Sequence, residues 1–165
     1  MRVLLISDSH FSDISKINKE DFDLIIHAGD YGFSKKYLEN LEAKYVKGNC
    51  DFSGNKHLLF YFNNKKFFVT HGDLEGVKTN DLNLFYKALE YKANICVFGH
   101  THKQTVFEKE NILFINPGSY PNNYVVITDE GLELHKKDTV EFINRKWWNY
   151  VFKWSLRIRK NFSVN

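Results

Sequence analysis

Short apolar runs recur along the first part of the chain, and each run stops at a polar or glycine-containing motif. The runs cover residues 3–6, 24–27, 45–46, 67–70 and 95–98. Runs of this length are typical of buried strands. Because the carboxyl ends of parallel strands meet at one edge of an α/β sheet, the polar residues after these runs are expected to lie close together.

Other periodicities fill the spaces between and after these runs. Ser34 is placed to cap one helix, and Thr79 or Asp81 is placed to begin a second helix. A hairpin is predicted around Asn63-Asn64, and further strands are predicted at 105–107, 111–115, 124–128 and 132–135. Alternating strands and helices followed by strands predict a layered α/β domain with both parallel and antiparallel pairing.

The motifs after the runs supply two aspartates, one asparagine and four histidines. They are Asp8-Ser9-His10, Gly29-Asp30, Gly48-Asn49-Cys50-Asp51, Thr70-His71-Gly72 and Gly99-His100-Thr101-His102. Each motif alone is compatible with an ordinary turn, cap or core role. Oxygen and imidazole donors together suit Mn, Fe, Co, Ni or Zn, whereas Mg and Ca sites are built from oxygen ligands. Seven donors exceed what one ion with an open position needs, so the set predicts two ions that share a bridging carboxylate.

Together these motifs resemble the calcineurin-like metallophosphoesterase superfamily, over roughly residues 1–136. The Gly-Asn-Cys-Asp motif and the Asn-Pro-Gly-Ser stretch at 116–119 are similar to the small YfcE-like phosphodiesterases. The resemblance implies an α/β fold, a four-layer α/β/β/α sandwich with mixed sheets. It implies that Asp8, His10 and His102 hold one ion, that Asn49, His71 and His100 hold the second, and that Asp30 bridges them.

The resemblance also implies a phosphoesterase, and a phosphodiesterase more than a monoesterase, that uses a hydroxide bridging the two ions. Manganese is the expected metal, and ligand type does not separate it from Fe, Ni, Zn or Co. Asn49 and His71 are expected to act in catalysis and, with Cys50, to bind the phosphate ester. Many relatives have a histidine, a candidate leaving-group acid, where this chain has Cys50. Asp51 is a candidate proton carrier, and a turn or capping role is its alternative.

Two further expectations concern the remaining histidines and the function class. His27 is expected to be buried and hydrogen-bonded, whereas His57 and His135 are expected to be ordinary surface or strand residues. The second function hypothesis is a non-catalytic metal-binding scaffold of the same fold, acting in a protein or membrane-surface complex.

Charge and cysteine content bear on where the protein acts. The net charge is +3, and residues 141–165 hold six basic residues against one acidic residue. Aromatic and aliphatic residues recur there at helical spacing, which predicts a domain over 1–138 and a basic amphipathic helix or tail over 139–165. The helix has three alternatives: packing on its own domain, a homo-oligomer or partner interface, or an anionic membrane surface.

The rest of the chain is nearly neutral, so no specific nucleic-acid binding is predicted. The chain has two cysteines, and from its apolar runs we expect neither a signal peptide nor a membrane-spanning segment. We therefore expect a cytoplasmic protein, with peripheral attachment to a membrane as the alternative.

Overall fold

A computed structural model describes residues 1–144, which form eleven strands and two α-helices. The strands are β1 (Arg2–Ile6), β2 (Leu24–His27), β3 (Lys44–Tyr45), β4 (His57–Phe62), β5 (Lys65–Thr70), β6 (Ile95–Val97), β7 (Thr105–Lys109), β8 (Ile112–Asn116), β9 (Asn123–Thr128), β10 (Gly131–Lys136) and β11 (Thr139–Asn144). The helices are α1 (Lys35–Asn40) and α2 (Leu82–Glu90), with short 3-10 turns at Lys19–Asp21 and Gly32–Ser34.

The strands form two mixed sheets. The first has the order β11-β10-β9-β1-β2-β3, and the second has the order β4-β5-β6-β8-β7. Within them β1, β2 and β3 run parallel to one another, as do β5, β6 and β8. The carboxyl ends of β1, β2 and β3 therefore meet at one edge of the first sheet, and those of β5 and β6 meet at one edge of the second.

Alternating side chains place the core on both faces of each sheet. Val3 and Leu5 of β1 point between the sheets, where they join Val69 and Val97 of the second sheet. Leu4 and Ile6 point to the opposite face, as the two-residue period of a strand requires.

Helices cover the outer faces. Leu84, Phe85 and Ala88 of α2 pack on the second sheet. Leu38 of α1 packs with Ile14 on the outer side of the first sheet. The predicted four-layer α/β/β/α arrangement is confirmed. In the part of the chain that is described, no helix is long and apolar enough to cross a membrane.

Local signals in the sequence placed most elements correctly. Asn63 and Asn64 have φ of 45° and 58°, the left-handed conformation that a tight hairpin between β4 and β5 requires. Ser34 and Asp81 occupy the N-cap positions of α1 and α2, although neither side chain makes a capping hydrogen bond.

The predicted C-terminal helix is wrong over its first six residues. Residues 139–144 form β11, which pairs antiparallel with β10, with Thr139 opposite Lys136 and Asn144 opposite Gly131. Backbone pairing with the open edge of β10 satisfies these residues, and the helical spacing further along the chain could not reveal that edge. The sheet therefore continues past the predicted boundary at residue 138. The rest of the predicted helix, 145–165, lies outside the described residues.

Candidate metal centre

Five loops converge where the carboxyl ends of the strands of both sheets meet. They follow β1, β2, β3, β5 and β6, and the loops after β2 and β3 carry Asp30 and Asn49. The histidines form two close pairs. His10 Nε2 lies 3.3 Å from His102 Nε2, and His71 Nε2 lies 3.2 Å from His100 Nδ1. Each pair would supply two imidazole nitrogens to one ion if the predicted division of ligands holds.

Two carboxylates lie between the histidine pairs. Asp8 Oδ1 is 3.2 Å from His102 Nε2 and 4.0 Å from His71 Nε2, and Asp30 Oδ2 is 3.4 Å from His71 Nε2. Potential ligand atoms of Asp8, His10 and His102 lie within 4.8 Å of one another, as do those of Asp8, Asp30 and His71. Asp30 also lies within this distance of His10 and Cys50. Asp30 therefore reaches both histidine pairs, as a bridging ligand must.

The hydrogen bonds of Asp8 test whether a cation fits this centre. Its Oδ2 accepts hydrogen bonds from Ser7 Oγ at 2.6 Å and from the His100 backbone N–H at 3.1 Å. Its Oδ1 is buried and has no hydrogen-bond partner in the described structure. A buried carboxylate oxygen without a partner is costly unless a cation approaches it. The donor set and this oxygen therefore fit a divalent metal.

The electrostatics of Asp30 and His71 lead to the same conclusion. Burial raises the pKa of Asp30, but hydrogen bonds from His71 and from the Cys50 backbone outweigh it and hold that pKa well below its usual range. Burial lowers the pKa of His71, but the hydrogen bond to Asp30 and the Ala28 carbonyl raise it above its usual value overall. The centre therefore favours a negative carboxylate that attracts positive charge.

Five of the seven predicted ligands have left-handed backbone conformations. Their φ values are 51° for Asp8, 45° for His10, 57° for Asp30, 67° for His100 and 60° for His102. Such conformations are uncommon outside glycine and cluster at functional sites.

Two positions beside the predicted ligands require glycine, because neighbouring side chains lie where a Cβ atom would be. A Cβ at Gly99 would overlap Ser7 Oγ and lie 2.8 Å from Asp8 Oδ2. A Cβ at Gly48 would overlap the carboxylate of Asp30. In both cases the absence of a side chain lets a backbone segment pack directly on a ligand.

Neighbouring groups orient the histidines. His71 Nδ1 donates to the Ala28 carbonyl at 2.8 Å, so Nε2 is the ring nitrogen that faces the centre. His27 is fully buried, as predicted, and its Nδ1 accepts from the Gly29 backbone N–H at 3.2 Å, so Nε2 donates to Ser9 Oγ at 2.9 Å. Burial lowers the pKa of His27 to about 3, and the ring is therefore neutral at physiological pH.

Asn116 braces the loop that carries the last two histidines. Its Nδ2 donates to the Gly99 carbonyl at 2.7 Å and to Thr101 Oγ1 at 3.0 Å. Ser119 donates from Oγ to the Asp8 carbonyl at 2.9 Å. The Asn-Pro-Gly-Ser stretch therefore supports two ligand loops at once.

For Asp51, the structure favours the capping role over the proton carrier. Its Oδ2 accepts from the backbone N–H groups of Gly48 and Asp30, both at 2.8 Å, and of Tyr31 at 3.3 Å. Its Oδ1 accepts from the Gly32 N–H at 2.9 Å. Because both oxygens are occupied by backbone donors, Asp51 joins the loops after β2 and β3.

Asn49 and Cys50 lie at the exposed side of the centre. Asn49 is exposed, and its Nδ2 contacts Cys50 Sγ at 3.3 Å. Burial and the nearby Asp30 carboxylate raise the pKa of the Cys50 thiol, which argues against a nucleophilic thiolate. That Asn49 shares an ion with His71 and His100 stays a prediction.

The sequence patterns did not predict the buried carboxylate of Glu75, four residues after His71. Glu75 accepts hydrogen bonds from Lys87 Nζ at 2.6 Å, Thr70 Oγ1 at 2.8 Å and His57 Nε2 at 3.0 Å. His57 lies on a strand, as predicted, but it also belongs to this buried cluster. No local signal marks Glu75, because its partners lie on two strands and a helix that only the fold brings together.

Comparisons with known proteins agree with this geometry. Residues 1–128 match the family model described as the Calcineurin-like phosphoesterase superfamily domain. A probable metallophosphoesterase of Bacillus subtilis, YsnB, is 40% identical over 126 residues, which cover 72% of this chain and 75% of that protein. A phosphodiesterase of Methanocaldococcus jannaschii is 28% identical over 170 residues, covering 87% of this chain and 99% of that protein.

The chain is also similar to one eukaryotic relative and to one solved bacterial structure. Vacuolar protein sorting-associated protein 29 of Schizosaccharomyces pombe is 30% identical over 148 residues and covers 79% of each chain. The crystal structure of a predicted phosphoesterase from Streptococcus pneumoniae aligns with a TM-score of 0.71 at 28% identity, covering 86% of this chain and 92% of that one.

Proposed function

The chain belongs to the calcineurin-like phosphoesterase superfamily, and from this membership we propose that it is a phosphodiesterase that depends on two divalent metal ions. One ion would be held by Asp8, His10 and His102. The second would be held by His71 and His100 with Asn49, and Asp30 would bridge the two.

The observation that carries this proposal is the buried, unpartnered Oδ1 of Asp8. It faces imidazole nitrogens from both histidine pairs, His102 at 3.2 Å and His71 at 4.0 Å. A purely structural carboxylate would have hydrogen-bond donors on both oxygens. An oxygen directed at two imidazoles and lacking a donor is instead what a metal ligand presents before the ion binds.

The chain's own residues provide binding and orientation. When bound, two divalent ions polarise a phosphoryl group and supply a nucleophilic water near neutral pH. His102, with a side chain 48% exposed, leaves one side of the centre open for the phosphate ester. The exposed amide of Asn49 would donate to a phosphate oxygen, and the hydrogen bond from His71 Nδ1 to the Ala28 carbonyl would keep Nε2 directed at the ion.

The phosphodiester preference rests on the M. jannaschii relative and on the missing proton donor. Cys50 stands where many family members carry a histidine, and Asp51 is occupied by backbone donors. A missing general acid costs roughly 10²–10⁴-fold in rate. We therefore expect the enzyme to favour esters whose leaving groups need no protonation, and we expect manganese to support turnover.

The direct test is hydrolysis of bis-p-nitrophenyl phosphate by the full chain, with and without Mn²⁺. The variants Asp30→Asn and His71→Ala should lose metal-dependent turnover by at least about 10²-fold, because Asp30 would bridge the two ions and His71 would hold the second one. His135→Ala is the matched control, because this histidine stacks on Tyr124 outside the centre. Turnover retained by both site variants would refute the assignment.

The similarity to the vacuolar protein sorting protein favours a second candidate, a non-catalytic metal-binding scaffold. The two candidates differ in one measurement. The scaffold binds Mn²⁺ in calorimetry but hydrolyses no phosphate ester with Mn, Fe, Co, Ni or Zn. The enzyme does both.

A further inference from the structure

Three phenylalanines next to the predicted ligand loops are almost fully exposed. Phe11 is 84% exposed, Phe33 is 83% exposed and Phe52 is 102% exposed. Phe11 directly follows His10, whereas Phe33 and Phe52 follow Asp30 and Asn49 by three residues. Thus each of the three loops at the edge of the first sheet carries both a predicted ligand and an exposed phenyl ring.

Hydrogen bonds and ring contacts hold the three loops together. The rings of Phe11 and Phe33 lie 5.7 Å apart between centroids and are tilted by 45°. The backbone N–H of His10 donates to the Asp30 carbonyl at 2.9 Å, which joins the first loop to the second. The Asp51 carboxylate accepts a hydrogen bond from the Gly32 N–H at 2.9 Å. Asp51 precedes Phe52 and Gly32 precedes Phe33, so this bond joins the second loop to the third. We call these three phenylalanines the aromatic rim.

Leaving this much apolar surface in water is unusual. Other phenylalanines are fully buried, such as Phe68 and Phe114, which are both 0% exposed. Phe11 and Phe33, which are in contact, and Phe52 together expose on the order of 500 Å² of apolar surface, and apolar patches of that size on a monomer are often functional. The rim adjoins the ligand loops, so its occupant is expected to be bound together with a phosphate.

We propose that the aromatic rim binds a flat aromatic ring carried by the substrate, such as a nucleobase, so that the substrate class is nucleotide-like phosphodiesters. This rests on the proposed function, which places the phosphate between the histidine pairs. Phenyl rings offer no hydrogen-bond donor or acceptor, so they recognise a ring by stacking and accept different bases. The rim therefore selects for an aromatic group without selecting one base.

The test compares two ligands that differ only in the base. The full chain loaded with Mn²⁺ is titrated by calorimetry with adenosine 5′-monophosphate and with ribose 5-phosphate. We expect the nucleotide to bind roughly tenfold more tightly, the factor that stacking of ordinary strength supplies. The variants Phe11→Leu and Phe33→Leu keep an apolar side chain but remove the ring, and each should reduce this ratio to about twofold or less.

Phe142→Leu is the matched control. Phe142 is 51% exposed on β11, in the outermost strand of the first sheet and three strands from β1, so this variant should keep the full affinity ratio. A wild-type ratio below about twofold overturns the proposal, as it would if the rim served a protein partner instead. A ratio that survives both rim substitutions, or a failure of both ligands to bind, also overturns it.

Hydrolysis of bis-p-nitrophenyl phosphate separates this proposal from the proposed function. If the enzyme hydrolyses this ester but binds the nucleotide no more tightly than ribose 5-phosphate, the base-binding role of the rim is refuted and the proposed function stands. If it prefers the nucleotide but hydrolyses no ester, catalysis is refuted and the base-binding role of the rim stands. A second measurement, saturation transfer from protein aromatic protons to the protons of the adenine ring, checks that the contact is with the base. Such transfer should weaken in Phe11→Leu and persist in Phe142→Leu.

Discussion

Substituting Glu75 by glutamine tests how the loop after β5 is held in place. The Glu75 carboxylate is fully buried and accepts hydrogen bonds from Lys87, Thr70 and His57 at 2.6, 2.8 and 3.0 Å. These partners lie on α2, β5 and β4, and β5 leads directly into His71. Glutamine keeps the volume of the side chain but removes the charge that Lys87 faces.

The expected loss follows from these contacts. A hydrogen bond to a charged group contributes about 1.5–3 kcal/mol, and one polar neighbour left unpaired adds a similar penalty. The Lys87 side chain is 33% exposed and can regain water, which lowers the penalty. We therefore expect Glu75→Gln to reduce the free energy of unfolding by about 2 kcal/mol at neutral pH.

The loss should depend on pH. Burial raises the pKa of Glu75, but the hydrogen bonds from Lys87 and Thr70 lower it by more. The pKa of Glu75 is therefore below its ordinary value of 4.5. A carboxyl whose pKa is lowered by folding contributes stability above its unfolded pKa, and that contribution disappears as the pH falls through its folded pKa. The difference between wild type and variant should therefore shrink below about pH 4.5.

Urea unfolding of the full chain, with a chelator present, measures this difference. A loss of about 2 kcal/mol corresponds to a midpoint shift of about 1 M for a protein of this size. Glu42→Gln is the control, because Glu42 pairs with Lys19 at the surface, and its midpoint should not change. A Glu75→Gln loss below about 0.5 kcal/mol, or a loss of equal size at acidic and neutral pH, would refute the reasoning.

Three further predictions concern the metal centre. Gly99→Ala should weaken Mn²⁺ binding at least about tenfold in calorimetry, because the added Cβ would meet Ser7 Oγ and displace Asp8; unchanged affinity would contradict the close packing. Asp8→Asn should abolish the rise in melting temperature on adding Mn²⁺ without lowering the melting temperature in chelator, since its Oδ1 has no partner to lose; a lower value in chelator would indicate a structural role. His27, with a pKa of about 3, should show no ring titration by NMR above about pH 5. The pKa of His27 in the unfolded chain is near 6.5, so its neutral ring contributes to stability above pH 6.5, and this contribution is lost as the pH falls towards the folded pKa. A ring-titration midpoint between about pH 5 and pH 8 would contradict the burial.

The sequence by itself determined the positions of the strands and the grouping of the predicted ligands. Apolar runs mark strands because a strand buried on both faces excludes polar side chains along its length, as in β1. The polar residues then fall at the strand ends, and parallel pairing brings the ends of β1, β2 and β3 to one edge. For the same reason the grouping of Asp8, Asp30 and the histidines was predictable without coordinates.

Only the tertiary structure decided the roles of residues whose partners are distant in sequence. Asp51 received its structural role from backbone donors of another loop, and β11 formed because β10 offers it an open edge. Glu75 carries no local signal, since its charge is balanced by Lys87 on α2. In the sequence, Phe11 and Phe33 do not stand out from the many other aromatic residues. Their exposure and their ring contact are visible only in the folded structure. Local patterns fix which residues are buried along an element, whereas pairing between elements depends on free energies that no single segment contains.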